Sequence, residues 1–166
     1  YKQALNLYRK TLEFAGITEN DVVYDLYTGT GTIAQYIAKK AKYVIGIESV
    51  QEAIDAAIEH AKLNGLENCE FHCGDMKDVF TEEFLANHPK ADVLVTDPPR
   101  DGMHQKVVEQ ILKLSPPKIV YVSCNSATQA RDLALMKEHY NVVKILPVDM
   151  FPQTHHVENI ALLVKK

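Results

Sequence analysis

The chain has 166 residues, 46% of them hydrophobic, which is enough for one well-cored domain and too few for two ordinary ones. A net charge of −4 with scattered lysines excludes the basic face of a stand-alone nucleic-acid binder, and three cysteines do not make a disulfide framework. No apolar run approaches the roughly 18–20 residues of a membrane helix, and Tyr1-Lys2-Gln3 does not open a secretory leader. These limits predict a cytoplasmic, monomeric domain with no membrane partner. Because the chain opens without Met, it is expected to be a piece of a longer protein.

In chain order, residues 5–15 read as a helix with Leu5, Tyr8, Leu12 and Ala15 on one face. Residues 21–26 form the first strand, which runs into the glycine-rich turn Tyr27-Thr28-Gly29-Thr30-Gly31-Thr32 and then a helix over 33–40. A second strand over 43–47 ends at Glu48, and the helix over 50–64 places Val50, Ile54, Ile58 and Ala61 on one face. A short strand over 70–73 ends at Gly74-Asp75, and one polar helix is predicted over 78–87. Strand four, 92–96, runs into Asp97-Pro98-Pro99-Arg100, and a helix over 104–114 stops against Pro116-Pro117. Strand five, Ile119-Val120-Tyr121-Val122, carries the chain into Ser123-Cys124-Asn125, and a helix over 128–139 follows. Two closing strands, 142–148 and 157–164, are too closely spaced for a helical crossover and should pair antiparallel at one edge.

Strands alternating with helices predict an α/β domain: a doubly wound, mostly parallel, seven-stranded sheet spanning residues 1–166. Ligands of such sheets sit beyond the carboxyl ends of the strands, where the strand order reverses. Three features lie there. The glycine turn lets backbone approach a ligand closely. Glu48 is placed to accept hydrogen bonds from ribose hydroxyls, and Asp75 to accept from an adenine amino group. The choice is between a nicotinamide cofactor and S-adenosylmethionine. A missing third glycine and the presence of Asp75 favour S-adenosylmethionine, which has no pyrophosphate to cradle. Tyr27, Gly29, Gly31, Thr32, Glu48, Asp75 and Asp97 are the candidate cofactor contacts.

Asp97-Pro98-Pro99-Arg100 resembles the Asp-Pro-Pro-aromatic loop of amino-group methyltransferases, but Arg100 replaces the aromatic clamp and weakens that reading. Cys69 and Cys73 share a strand face and read as packing rather than a metal pair, since further ligands are not evident; no metal is expected. His155 and His156 are either substrate contacts or solvated loop residues.

Three stretches in register carry a closer likeness. They are Asp97-Pro98-Pro99-Arg100-Asp101-Gly102, Ile119 through Asn125 with Thr128, and Val148-Asp149-Met150-Phe151-Pro152-Gln153-Thr154-His155-His156-Val157-Glu158. In these, the chain resembles the catalytic domain of the RNA uracil-5 methyltransferase family over nearly its whole length. The glycine turn departs from it, with Thr28 and Thr32 where the family commonly has Cys and Asn. The resemblance implies a class I S-adenosylmethionine-dependent, Rossmann-like fold. It further implies Cys124 as the thiolate that adds to uracil C6, Glu158 as the base that removes the C5 proton, and Asp97 between cofactor and base. The implied partner is RNA, 23S ribosomal RNA ahead of transfer RNA, gripped partly by N-terminal regions outside this chain. A cofactor-binding domain that needs those regions for turnover is the alternative.

Overall fold

The computed structural model describes residues 2–150, 153 and 157–166. It begins with α1 (Lys2–Ala15), followed by β1 (Val22–Leu26), α2 (Thr32–Ala38), β2 (Tyr43–Glu48), α3 (Gln51–Leu63) and β3 (Cys69–Cys73). Next come α4 (Met76–Val79), α5 (Glu82–Asn87), β4 (Val93–Thr96), α6 (Gln105–Leu114), β5 (Lys118–Ser123) and α7 (Ser126–Met136). The chain closes with β6 (Tyr140–Val148) and β7 (Glu158–Lys165). One seven-stranded sheet runs in the order β3-β2-β1-β4-β5-β7-β6. The first five strands pair parallel, while β7 runs antiparallel to both β5 and β6. This is the predicted doubly wound sheet with its antiparallel pair at the C-terminal edge. The order reverses between β1 and β4, which fixes the rim where a ligand belongs.

Each central strand is buried on both faces, as a parallel sheet covered by crossover helices requires. Along β1, Val22, Tyr24 and Leu26 enter the core under Met76, Phe80, Val107 and Ile111. Val23 points the other way, into the layer formed with Leu7, Ile33, Ala34 and Ile37. That alternation is the period of two of a strand. The outer strand β6 is mostly exposed, and it carries a bulge between Val142 and Lys144, a common way to blunt a sheet edge. No described helix is long and apolar enough to cross a membrane.

Four local expectations are corrected. The buried face of α1 is wider than expected: Ala15 is buried and Tyr8 and Leu12 pack half-buried on the core, Leu7 and Thr11 are buried beside them, and the Leu5 side chain lies outside the described residues. In α3 the buried face is Ile54, Ala57 and Ala61, while Val50 caps the helix and Ile58 is half-exposed. The single helix predicted over 78–87 is two. Phe80 leaves helical geometry (ψ 72°) to bury its ring completely, and the Thr81 hydroxyl then accepts from Phe84 N–H to start α5. Finally, α7 starts at Ser126, ahead of the predicted 128, because Asn125 accepts from the Ala127 and Thr128 N–H groups as its cap.

Candidate active site

The end of β1 is organised around a carboxyl group that faces no solvent. Asp25 is 1% exposed, and the Thr28 hydroxyl donates to its Oδ2 at 2.6 Å. Burial drives its pKa up to about 7, against the hydrogen bonds from Thr28 and the Ala34 backbone. Asp25 thereby ties the strand to the turn that follows. Tyr27 opens that turn with φ +62°, a left-handed conformation that costs a non-glycine residue roughly 1–2 kcal/mol. Gly31 caps α2, and a Cβ there would lie 2.9 Å from the Ala57 Cβ and 3.1 Å from the Phe71 ring. Its small size therefore lets α2 close onto α3 and β3.

Glu48, at the carboxyl end of β2, accepts from Gly29 N–H at 3.0 Å through Oε2. Its Oε1 accepts from Ser49 N–H at 2.7 Å, the Ser49 hydroxyl at 3.0 Å and Val50 N–H at 3.1 Å. These bonds pin a half-buried carboxylate beside the glycine turn. Next to it, Tyr27, Ser49, Asp75, Met76, Pro99 and His104 line a cavity of about 250 Å³ at the ends of four parallel strands. Flat apolar surfaces with acceptor carboxylates at the margin fit a nucleoside. Asp75 caps α4 and binds both the backbone N–H (3.1 Å) and the Nζ (2.6 Å) of Lys77, which hold its carboxyl below the usual range. Thr32 stands apart from this group. It is exposed at the start of α2, 3.2 Å from the Thr30 hydroxyl, on a surface shared with Gln35, Tyr36 and His60.

Asp97 follows β4 directly, and its N–H donates to Leu26 O across the strand switch. Burial pushes its carboxyl up to about 7, with further upward pressure from the charges of Glu158 and Asp25. The chain then turns through Pro99-Arg100-Asp101-Gly102, closed by Gly102 N–H to Pro99 O at 2.8 Å. Gly102 has φ +77°, and a Cβ there would meet Arg131 Nη2 at 2.5 Å and Asp132 Oδ2 at 2.6 Å. A side chain there would have to displace that pair. Asp132, fully buried, accepts from Met103 N–H (2.8 Å), the Tyr121 hydroxyl (2.7 Å) and Arg131 Nη2 (2.7 Å). The Arg131 guanidinium reaches on to Asp101 O at 2.8 Å.

This scaffold clamps the loop that carries Cys124. Across the cysteine, the Ser123 hydroxyl accepts from Asn125 N–H and donates to Asn125 O, both at 3.0 Å. Asn125 Nδ2 and the Thr128 hydroxyl both donate to Arg100 O, at 3.1 and 2.9 Å, joining the two loops. The β5–β7 ladder pairs Lys118 with Val164 and runs to Ser123 with Asn159. The ladder ends there, with Cys124 the residue after Ser123 and Glu158 the residue before Asn159. Buried Gln129 holds the pair of strands together, donating to Tyr121 O at 3.0 Å and Asn159 O at 3.2 Å and accepting from Asn159 Nδ2 at 2.5 Å. Glu158 is half-buried; burial raises its pKa, and the Arg100 charge opposes the rise.

Cys124, Glu158 and Asp97 thus occupy one rim, and Tyr27, Gly29, Glu48 and Asp75 the adjoining one. The positions 151, 152 and 154–156, including both loop histidines, lie outside the described residues. Cys69 packs against the core beside Phe71, and Cys73 is exposed. Sequence reasoning missed Asp25, Gln129, Asn159 and Asp132. Their signal was available in part: Gln129 and Asp132, three apart on α7, place two polar side chains on its buried face.

A methyltransferase domain model matches residues 17–161. A protein of Porphyromonas gingivalis named as an uncharacterized RNA methyltransferase is 58% identical over 99% of this chain and 36% of its own length. One of the same name from Bacteroides thetaiotaomicron is 57% identical over 98% of the chain and again 36% of the relative. The chain therefore spans about a third of the length of these curated relatives. The crystal structure of the Pyrococcus abyssi tRNA (uracil-54, C5)-methyltransferase in complex with S-adenosyl-L-homocysteine is 35% identical. It matches with TM-score 0.83 over 98% of this chain and 38% of that one. With this sheet order and these matches, the chain belongs to the methyltransferase-domain family and has the class I, Rossmann-like fold of S-adenosylmethionine-dependent methyltransferases.

Proposed function

We propose that this domain methylates C5 of a uridine in RNA, with S-adenosylmethionine as methyl donor, Cys124 as nucleophile and Glu158 as base. The observation that carries the reading is the placement of Cys124 and Glu158 one step beyond a shared ladder position, with Asp97 sensing the Glu158 charge. Uracil C5 is a poor nucleophile on its own. Addition of the Cys124 thiolate to C6 forms an S–C6 bond and moves electron density to C5 and the neighbouring carbonyl oxygen. S-adenosylmethionine, which Tyr27, Glu48 and Asp75 would hold along the cavity at the strand ends, would supply an electrophilic methyl group to this carbon, its S–CH3 bond breaking to leave S-adenosylhomocysteine. Glu158 then takes the C5 proton, the C5–C6 double bond re-forms, and the S–C6 bond breaks to release the thiolate. A raised pKa suits Glu158 to this step, because a base works best near the operating pH. Asp97, its carboxyl pushed up to about 7 chiefly by burial, orients the groups between cofactor and uracil.

Net charge −4 leaves little electrostatic grip on a polyanion, so RNA binding is assigned in part to regions of the kind that the longer relatives have outside the matched third of their length. For the RNA class we propose 23S ribosomal RNA. Transfer RNA is the second reading, favoured by the 35%-identical archaeal relative. The test incubates full-length protein and cofactor with 5-fluorouridine RNA, in which the C5 substituent cannot leave as a proton. A covalent adduct through Cys124 is expected. No adduct from a protein that methylates ordinary RNA, or one that persists in Cys124→Ala, overturns the assignment. Mapping the methylated uridine in total RNA of a deletion strain decides between ribosomal and transfer RNA.

A further inference from the structure

On the far edge of the sheet, with three strands between it and β5, β3 turns Glu70 and His72 toward α5. His88, the residue that ends α5, meets them there. One ligand atom from each of Glu70, His72 and His88 lies within 4.8 Å of the other two. His72 Nε2 is 3.1 Å and His88 Nε2 3.3 Å from the same carboxylate oxygen, Glu70 Oε1.

The hydrogen-bond pattern around this group is incomplete in a telling way. His88 Nδ1 lies 2.7 Å from Phe84 O, and a carbonyl only accepts, so Nδ1 carries the proton. In the neutral ring, Nε2 is then a bare lone pair. It faces a carboxylate oxygen, which is also only an acceptor. Two acceptors at 3.3 Å need a cation between or beside them. The remaining contacts match what surrounds a bound metal. The backbone carbonyl on Nδ1 fixes the tautomer that leaves Nε2 available, and the Tyr43 hydroxyl donates to the other carboxylate oxygen, Glu70 Oε2, at 2.8 Å. Phe84 stacks on His88 with centroids 3.9 Å apart and meets His72 edge-on at 5.0 Å, which locks both rings.

We propose that Glu70, His72 and His88 form a divalent metal site of the zinc class that ties the edge strand β3 to the end of α5. Zinc–ligand bonds of about 2.0–2.2 Å set neighbouring ligand atoms of a tetrahedron about 3.3–3.5 Å apart. The two contacts at 3.1 and 3.3 Å are close to that spacing. Glu70 and His72 remain about one-third exposed, which leaves room for water as the fourth ligand. The site stands apart from the Cys124 rim, so its role is to hold the sheet edge and the α4–α5 segment that lines the cofactor cavity.

The test titrates chelator-stripped full chain with Zn²⁺ by calorimetry and with Co²⁺ by visible absorption. One equivalent of Zn²⁺ should bind per site and displace Co²⁺ from a tetrahedral spectrum. His72→Gln and His88→Gln should each weaken binding at least about a hundredfold, and Tyr43→Phe about tenfold. A Cys69→Ser/Cys73→Ser variant should bind like the wild type, separating this site from the thiols. Where a histidine variant does not fold by circular dichroism, Glu70→Gln, which keeps the shape of the side chain, takes its place. The proposal is overturned if the wild type binds no stoichiometric metal. It is equally overturned if a folded His88→Gln or Glu70→Gln binds as tightly as the wild type; a proton on His88 then supplies the missing cation.

Discussion

Cys124 stands one residue past the Ser123–Asn159 pair of the β5–β7 ladder, and Glu158 one residue before it on the opposite strand. The chain bends at Cys124 through the Ser123–Asn125 hydrogen bonds, so the ladder ends at this pair and the two residues flank its end. A thiol and a carboxylate separated by more than thirty residues in sequence thereby flank the same end of one ladder. The parallel part of the sheet could not do this, because every parallel strand ends at the same rim pointing outward. The reversed strand β7 begins where β5 ends, and so brings the start of one strand to the end of the other.

That placement separates the roles of the two groups in time. Glu158→Gln should leave thiol addition and methyl transfer possible and block proton removal, so a covalent complex with methylated RNA accumulates and kcat falls about 10²–10⁴-fold. Cys124→Ala should form no covalent complex at all. Gel electrophoresis under denaturing conditions with labelled RNA reads both outcomes. Turnover by Glu158→Gln at the wild-type rate would remove the carboxylate from the mechanism.

Glu48 gives a prediction about the cofactor. Its charge is already held by four donors in the glycine turn and the β2–α3 junction, so it is positioned before any ligand arrives. Hydrogen bonds to a charged acceptor contribute about 1.5–3 kcal/mol each, or roughly tenfold to a hundredfold in affinity. Glu48→Gln should weaken S-adenosylhomocysteine binding by that factor in calorimetry, with the fold intact. An unchanged affinity would place the ribose elsewhere.

How much of this was legible in the sequence divides along physical lines. Hydropathy period and turn chemistry located all seven strands and the rim, most directly for the central strands, where burial on both faces imposes near-continuous apolar runs. The same signal misplaced the buried face of α3, where Ala57 is buried and Ile58 is half-exposed, since amphipathic stripes do not say which edge of the stripe meets the sheet. The gap between α4 and α5 was hidden because Phe80 fits a helical pattern and leaves it only to fill a core site. Asp25 and Asp132 were hidden for another reason: a carboxyl group reads as surface until its donors are known. Asp132 draws Met103, Tyr121 and Arg131 from three segments, which no local pattern reports.

Gly102 tests that hidden scaffold. With φ +77° and the Arg131 and Asp132 side-chain atoms at 2.5 and 2.6 Å from any added Cβ, Gly102→Ala must strain the backbone and displace the pair together. The combined cost should reach about 2–4 kcal/mol. Urea denaturation measures it, and a loss under 1 kcal/mol, of the order of a surface change, would show that Arg131 and Asp132 yield freely. The loop that links Arg100 to Asn125 and Thr128 should loosen as well, so kcat should fall in Gly102→Ala even where the protein remains folded.

The buried carboxyl groups predict an unusual pH dependence of stability. An aspartate in an unfolded chain titrates near about 3.9. In the folded domain burial raises both Asp25 and Asp97 to about 7. Between those values the folded state retains protons that the unfolded state has released, so their contribution is fully present below about pH 4 and is lost as pH rises through about 7. This is the reverse of a salt-bridged carboxylate, whose contribution is lost on acidification. Asp25→Asn keeps an oxygen to accept from Thr28 and removes the ionisation. The variant should therefore lose less stability than the wild type between pH 5 and pH 8, and its relative gain should be largest at pH 8. Thermal melts across that range, without cofactor, give the comparison. Parallel curves for the two proteins would mean that Asp25 is not protonated in the fold at pH 5, and that Thr28 and the Ala34 backbone outweigh its burial.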